Sequence, residues 1–179
     1  MTHNNPDLQK RLGSDDPSAL RELFQVHYSG VCHTLFRLVQ DKHLSQDLAQ
    51  NVFIRVWEKR TDIQVHTSWG AYLNQMAIRE GLAHLRKVKR IDVREEIPDR
   101  ADPQTAEETL LHGDLNRHYQ SALQTLPPQC RIVFQLSRQE GLTYPEIARE
   151  MGISSKTVEN QMGKALRILR EQLHDFLPE

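Results

Sequence analysis

No apolar run in this sequence approaches the roughly 20 residues that a helix needs to cross a bilayer. The first residues, MTHNNPDLQK, lack the hydrophobic centre of a signal peptide. Together these absences predict a cytoplasmic protein with no membrane insertion. Cysteine is scarce: Cys32 and Cys130 stand far apart with no C-x-x-C partner, which predicts buried reduced thiols rather than a disulfide or a metal site. The nine histidines do not pair at metal-ligand spacings; His27 with His33, and His112 with His118, are six apart and read as solvated or hydrogen-bonded surface residues. A glycine-rich phosphate loop is missing, and so is any nucleophile motif around Ser, Cys or Thr. No catalytic constellation remains, and no cofactor or metal is expected. Strand-like alternation of useful length is absent too, which leaves an all-α chain.

What is present is a segregated charge. The net charge of −1 averages over blocks of opposite sign. From Arg79 to Arg90 the cations are Arg79, Arg86, Lys87, Lys89 and Arg90 against Glu80 alone. From Asp92 to Glu108 the acids are Asp92, Glu95, Glu96, Asp99, Asp102, Glu107 and Glu108 against Arg94 and Arg100. Blocks like these point to separate jobs for separate segments. With 179 residues, 38% of them hydrophobic, the chain is long enough for two small helical bundles. The acidic stretch holds Pro98 and Pro103 and too few apolar residues for a core, so it reads as a flexible linker. The expected division is 1–90, a linker over 91–113, and 114–179.

In the first bundle, a polar start leads to Asp16–Pro17, a cap followed by a proline at the first helical position. Leu20, Leu23, Phe24, Val31, Leu35 and Leu38 follow at helical spacing on a core-facing helix, with Gly30 a point of interruption. After a polar turn at Asp41-Lys42-His43, Ser45 is placed to cap SQDLAQNVFIRVWEK. Its apolar rows are Leu48, Ala49, Val52, Phe53, Val56 and Trp57, and Asp47, Gln50, Asn51, Arg55 and Glu58 face away. By pattern alone that polar face is wet surface. Thr67/Ser68 then cap a third helix beginning at Trp69, which carries Tyr72, Leu73, Met76, Ala77 and Leu82 into the basic block. Cations at the carboxyl end complement the helix dipole, and cations beside exposed aromatics also suit a single-strand platform.

The second bundle resumes with Leu115, Tyr119, Ala122, Leu123 and Leu126, pauses at Pro127–Pro128 and continues through Cys130, Val133 and Phe134. The stretch from Leu126 to Leu173 then carries the punctuation of a helix-turn-helix. Gly141 can take the left-handed conformation that ends a helix. Thr143 and Glu146 form a T-x-x-E capping box with Pro145 in the first turn. The short helix ends at Met151–Gly152, with Ala148 small where the next helix would cross it. Ser154 caps that helix, whose buried stripe is Val158, Met162, Ala165, Leu166, Leu169 and Leu173. Lys156, Glu159, Asn160, Gln161, Lys164 and Arg167 occupy the opposite face. Amides there can read base edges, and cations can hold phosphates.

These residues resemble a known family. From about Asp16 to Leu173 the chain is similar to bacterial sigma-70 family sigma factors of the small, two-domain extracytoplasmic-function (ECF) group. LPPQCRIVFQLSRQEGLTYPEIAREMGISSKTVENQMGKAL resembles the family's fourth conserved region, which binds the minus-thirty-five promoter element. SQDLAQNVFIRVW resembles the helix that docks on the clamp of core RNA polymerase: Asp47, Gln50, Phe53 and Trp57 fall on the pattern, while Ser45 and Gln46 replace its usual small-acidic pair. WGAYLNQMAIREGLAHLRK resembles the region that opens DNA and reads the minus-ten element, but Arg79 and Ala83 stand where asparagine and aspartate are usual.

The resemblance implies an address-giving protein with no chemistry of its own. Asp47, Gln50, Asn51 and Arg55 become polymerase contacts, and Phe53 and Trp57 hold the core. Trp69, Tyr72, Arg79, Arg86 and Lys87 would meet minus-ten DNA. Lys156, Thr157, Asn160, Gln161, Lys164 and Arg167 would meet minus-thirty-five DNA. The implied partners are core RNA polymerase, promoter DNA in duplex and single-stranded form, and an anti-sigma factor. Two other readings are a transcriptional regulator with a separate sensor half and a helical adaptor that binds proteins only. Polymerase pull-down separates all three.

Overall fold

The computed structural model describes residues 6–66, 68–92 and 114–174, with side-chain surroundings for 7–66, 68–88 and 117–174. Among the described residues the regular structure is entirely helical: α1 Pro6–Gly13, α2 Pro17–Val39, α3 Lys42–Glu58, α4 Trp69–Asp92, α5 Asp114–Gln124, α6 Pro128–Arg138, α7 Tyr144–Met151 and α8 Ser155–Gln172. The chain divides into two compact units, one containing α1–α4 and one containing α5–α8. Ile91 and Asp92, which the sequence reading gives to the linker, form the end of α4. Glu95, Glu96, Asp99 and the rest of the acidic stretch lie outside the described residues, as do Thr67 and His112.

The first unit packs α2 against both α3 and α4. Leu23, Val31 and Leu35 of α2 join Val52, Phe53 and Val56 of α3 and Trp69, Leu73 and Ala77 of α4 in one core. Burying each of the larger aliphatic side chains is worth about 1.5–3 kcal/mol. Close packing of α2 on α4 relies on Gly81, where a Cβ would come within 2.9 Å of Leu38 Cδ1. Thr34 also donates its hydroxyl to Asn74 Oδ1 at 2.7 Å, a polar pin between the same helices.

The polar start contains α1, because Leu8 and Leu12 share a face and bury against α2. Gln9 fastens α1 to the loop before α4 by donating to the Ile63 carbonyl and accepting from Val65 N–H, both at 3.2 Å. Asp16 caps α2 by accepting from Ser18 N–H at 2.9 Å, and Arg11 braces the junction through Asp16 and Glu22, each at 3.0 Å. Gly30 does not interrupt α2, since its backbone stays helical and solvent takes the place of a side chain. The helix stops at Gln40, a left-handed residue whose side-chain amide donates to Arg37 O at 2.8 Å. Asp41, not Ser45, caps α3: its carboxylate accepts from Leu44 N–H at 2.8 Å, and Lys42 and His43 are already helical. Ser45 is buried in the first turns of α3 and donates to Lys42 O at 2.8 Å. Ser68 caps α4 by accepting from Ala71 N–H at 3.1 Å.

In the second unit α8 packs on α5, α6 and α7, and α6 also meets α7. The core combines Leu123, Leu126, Val133 and Leu136 with Ile147, Val158, Met162 and Leu169. Arg138 is the last helical residue of α6, and Gly141 takes its left-handed conformation in the following loop, with φ 70°. Leu166 leaves the expected stripe and is exposed; the buried sector is covered by Val158, Met162, Ala165 and Leu169 alone.

Candidate nucleic-acid interface

The α7–α8 pair is built by its caps. The Glu146 carboxylate accepts from both the backbone N–H of Thr143, at 2.8 Å, and its hydroxyl, at 2.6 Å. Those bonds hold the Glu146 carboxyl below the usual carboxylate range, because they favour the charged form. At the far end Gly152 is left-handed, with φ 67°, and Ile153 N–H reaches back to Ala148 O at 3.0 Å. Two residues later Ser154 Oγ accepts from Thr157 N–H at 3.0 Å and starts α8. The turn between the helices is therefore fixed by residues that cannot continue α7 and must open α8.

At 3.6 residues per turn, Lys156, Asn160, Gly163 and Arg167 fall within a sector of about 60° on α8. All four are exposed, and Lys164 is exposed beside them. Lys156 pairs with Glu159 at 2.8 Å and Arg167 with Glu171 at 3.0 Å. These are exposed pairs of small worth, readily exchanged for phosphates. Thr157 is half-buried and its hydroxyl shares a hydrogen bond with Ser154 Oγ at 2.8 Å, which ties it to the cap. Gln161 does not belong to the outer face. It points toward α6 and accepts the Cys130 thiol on Oε1 at 2.9 Å. It lies about 130° around α8 from the centre of the exposed strip, too far to reach the same groove. Cys130 is buried, and burial pushes its thiol pKa up.

In the first unit α4 presents Arg79, Ala83, Arg86 and Lys87 to solvent, with Tyr72 and Met76 half-buried beside them. Burial raises the Tyr72 hydroxyl pKa, and the positive charge of Arg79 on the same helix works against that rise. Trp69 departs from the expected site. It is 2% exposed, and its indole N–H has no hydrogen-bond partner among the described residues. It meets Tyr72 edge-on at 5.9 Å, so it backs the tyrosine from inside the core and does not itself offer a face to a base. Lys89 and Arg90 have side chains outside those described.

The outer face of α3 carries Asp47, Gln50 and Asn51, all exposed, together with Ile54 at 53% exposure and Glu58. Beside Gln50 lies Tyr28, stacked on Phe24 at 4.4 Å, while Phe24 also packs on Phe53 at 5.0 Å. Phe24 is exposed, not part of the core its helical spacing suggested. Ile54 and Phe24 are apolar members of this surface that charge-based reading passes over; an apolar residue on an outward position of α3 is the signal that marks Ile54. Arg55 sits at the edge of the face and turns toward α4, where it pairs with Glu80 at 2.8 Å. Trp57 is half-buried with the Arg60 guanidinium 4.4 Å above its ring. His27 is half-buried against Gly70 and not a surface residue, and burial lowers its pKa. No group of three or more His, Cys, Asp or Glu suited to a metal ion occurs among the described residues. No described helix is long and apolar enough to cross a membrane.

Comparison with known proteins agrees with this two-unit arrangement. The family pattern for sigma-70 region 2 matches residues 23–91, and that for sigma-70 region 4 matches residues 117–169. The chain is 31% identical over 166 residues to the RNA polymerase sigma factor CarQ of Myxococcus xanthus, covering 93% of this chain and 94% of CarQ. It belongs to the sigma-70 family, in the ECF group.

This sigma factor is also 32% identical over 161 residues to the ECF RNA polymerase sigma factor SigE of Mycolicibacterium smegmatis, where it spans 60% of the relative's length. Its fold is shared with the sigma factor RpoE of Bartonella quintana, solved in complex with the anti-sigma factor NepR, at a TM-score of 0.60 and 19% identity over 86% of this chain and 96% of that one. CnrH, solved with the cytosolic domain of CnrY, gives a TM-score of 0.54 and 24% identity over 94% and 96% of the two chains. Region 2 therefore coincides with α2–α4, and region 4 with α5–α8 up to Leu169.

Proposed function

We propose that this sigma factor directs core RNA polymerase to its promoters through three separate faces and supplies no bond-making chemistry itself. The outer face of α3, with Asp47, Gln50, Asn51 and Ile54, docks on the polymerase. Tyr72, Arg79, Arg86 and Lys87 of α4 meet the opened minus-ten strand, where a guanidinium and a phenol can stack on unpaired bases. The α8 face of Lys156, Asn160, Lys164 and Arg167 lies in the groove of the minus-thirty-five duplex. The acidic stretch between α4 and α5 tethers the two units, and its negative charge suits a basic path through the enzyme. A protein that acts on promoters in this way works in the cytoplasm.

The single observation that carries the reading is the α7–α8 pair, capped at both ends and presenting amide and cation together on one exposed strip. An anti-sigma factor is the proposed regulator. The solved complex of the sigma factor RpoE with the anti-sigma factor NepR supports it. Run-off transcription with purified core enzyme tests the function directly. Stoichiometric binding to core and transcripts of defined start are expected. A chain that fails to bind core but still binds DNA would be a regulator of another kind, and one that binds neither would be an adaptor.

A further inference from the structure

We propose that Gly163 is a specificity-determining position of α8, where the missing side chain lets a base pair of the promoter come up against the helix backbone. The inference rests on α8 being the DNA-reading helix and adds a role for a residue that has no side chain to make contacts. Gly163 lies in the middle of α8, an element of 18 residues. Glycine there costs helix stability relative to alanine, because it has more backbone freedom to lose on folding.

Two reasons within a chain commonly offset that cost, and neither holds here. The described glycines with positive φ are Gly141 and Gly152, so the backbone at Gly163 is one that any residue can adopt. A Cβ added at Gly163 would meet nothing within 4 Å, so no neighbouring helix needs the room. Gly81 is the contrast, since there the room is filled by Leu38 and Leu35.

The remaining reason lies outside the chain. Gly163 is exposed, in the same narrow sector as Lys156, Asn160 and Arg167. Along the axis Asn160 lies about one turn before it and Arg167 about one turn after it, so the backbone between them carries no side chain at this point of the face. A duplex seated on that face would bring a base edge or a thymine methyl against the helix at Gly163, and any larger residue would hold it off. Gly30 of α2 also has an open Cβ position, but no DNA-contacting side chain shares its surface, which makes it the control.

The test uses holoenzyme reconstituted from purified core enzyme and the full chain, and selects binding sites from a duplex library with a randomised minus-thirty-five segment. Thermal melting of the free proteins accompanies it. Gly163→Ala and Gly30→Ala should both melt higher than wild type and both bind core. Only Gly163→Ala should lose affinity for the wild-type-selected site, by about tenfold, with little loss on a scrambled duplex and a changed base preference within the selected segment. Gly163→Leu should lose more. If Gly163→Ala selects the same sequence with the same affinity, or loses equally on selected and scrambled DNA, the proposal is overturned. Wild-type holoenzyme that selects no sequence at all would instead overturn the reading of α8 itself.

Discussion

The Cys130 thiol donates to Gln161 Oε1 at 2.9 Å, joining the first turn of α6 to α8. Gln161 thus turns to α6, about 100° around α8 from its neighbour Asn160 on the exposed strip. Neighbouring amides thereby acquire different tasks. Gln161→Ala should lower the melting temperature of the protein, through the loss of about 1 kcal/mol of hydrogen bonding, and leave base preference unchanged. Asn160→Ala should do the opposite, with about 1–3 kcal/mol lost on the cognate duplex and little on a scrambled one. Melting curves and duplex titrations of the two variants check this division.

Lys164 and Arg167 should act through phosphates. Replacing either by alanine is expected to weaken binding on any sequence and to reduce the slope of log affinity against log salt by about 0.9. A salt titration of each variant on two unrelated duplexes is the measurement; a loss confined to one sequence would contradict it.

On α3, Asp47 and Gln50 should matter for binding and Arg55 for folding. The double variant Asp47→Ala, Gln50→Ala should bind core polymerase less tightly with an unchanged melting temperature. Arg55→Ala leaves Glu80, whose side chain is 10% exposed, without its ion-pair partner and should cost about 1–3 kcal/mol of stability. Affinity measurements with core enzyme, set beside chemical denaturation, separate the two effects.

Trp69 and Arg79 make a similar contrast on α4. Trp69→Ala should destabilise the first unit by about 3–5 kcal/mol, since it empties a buried site. Arg79→Ala should fold normally and open its promoter more slowly, with altered minus-ten preference. Permanganate footprinting of the open complex reads that effect, and a wild-type rate and preference would make Arg79 a surface cation only.

His27 should make the first unit sensitive to acid. Burial lowers its pKa from the ordinary value of 6.5, so in the window below 6.5 the unfolded chain binds more protons than the folded one. Stability should be unaffected by this group above that value and fall as pH drops from 6.5 through the folded pKa. His27→Gln should remove that part of the pH dependence, as urea denaturation between pH 7.5 and 5 would show, in steps of about one unit.

The local devices of this sigma factor were determined by sequence alone. Asp16 before Pro17, Thr143 with Glu146, and Ser154 ahead of α8 are caps, and a cap depends on residues two or three apart. The left-handed Gly152 is equally local, since its conformation is closed off to most side chains. The stripe of Val158, Met162, Ala165 and Leu169 follows from helical period. Period fixes an angle around a helix axis, but not how far the buried sector extends, because that edge is set by where neighbouring helices lie. Residues near the edge were therefore decided only by tertiary packing: Gln161 and Trp69 went inside, and Phe24 and Leu166 stayed out. The Arg55–Glu80 pair joins two helices through residues 25 apart in sequence, a contact that no local spacing encodes. Likewise Leu8 and Leu12 give α1 only a short apolar face, and it is the neighbouring surface of α2 that makes a helix of it.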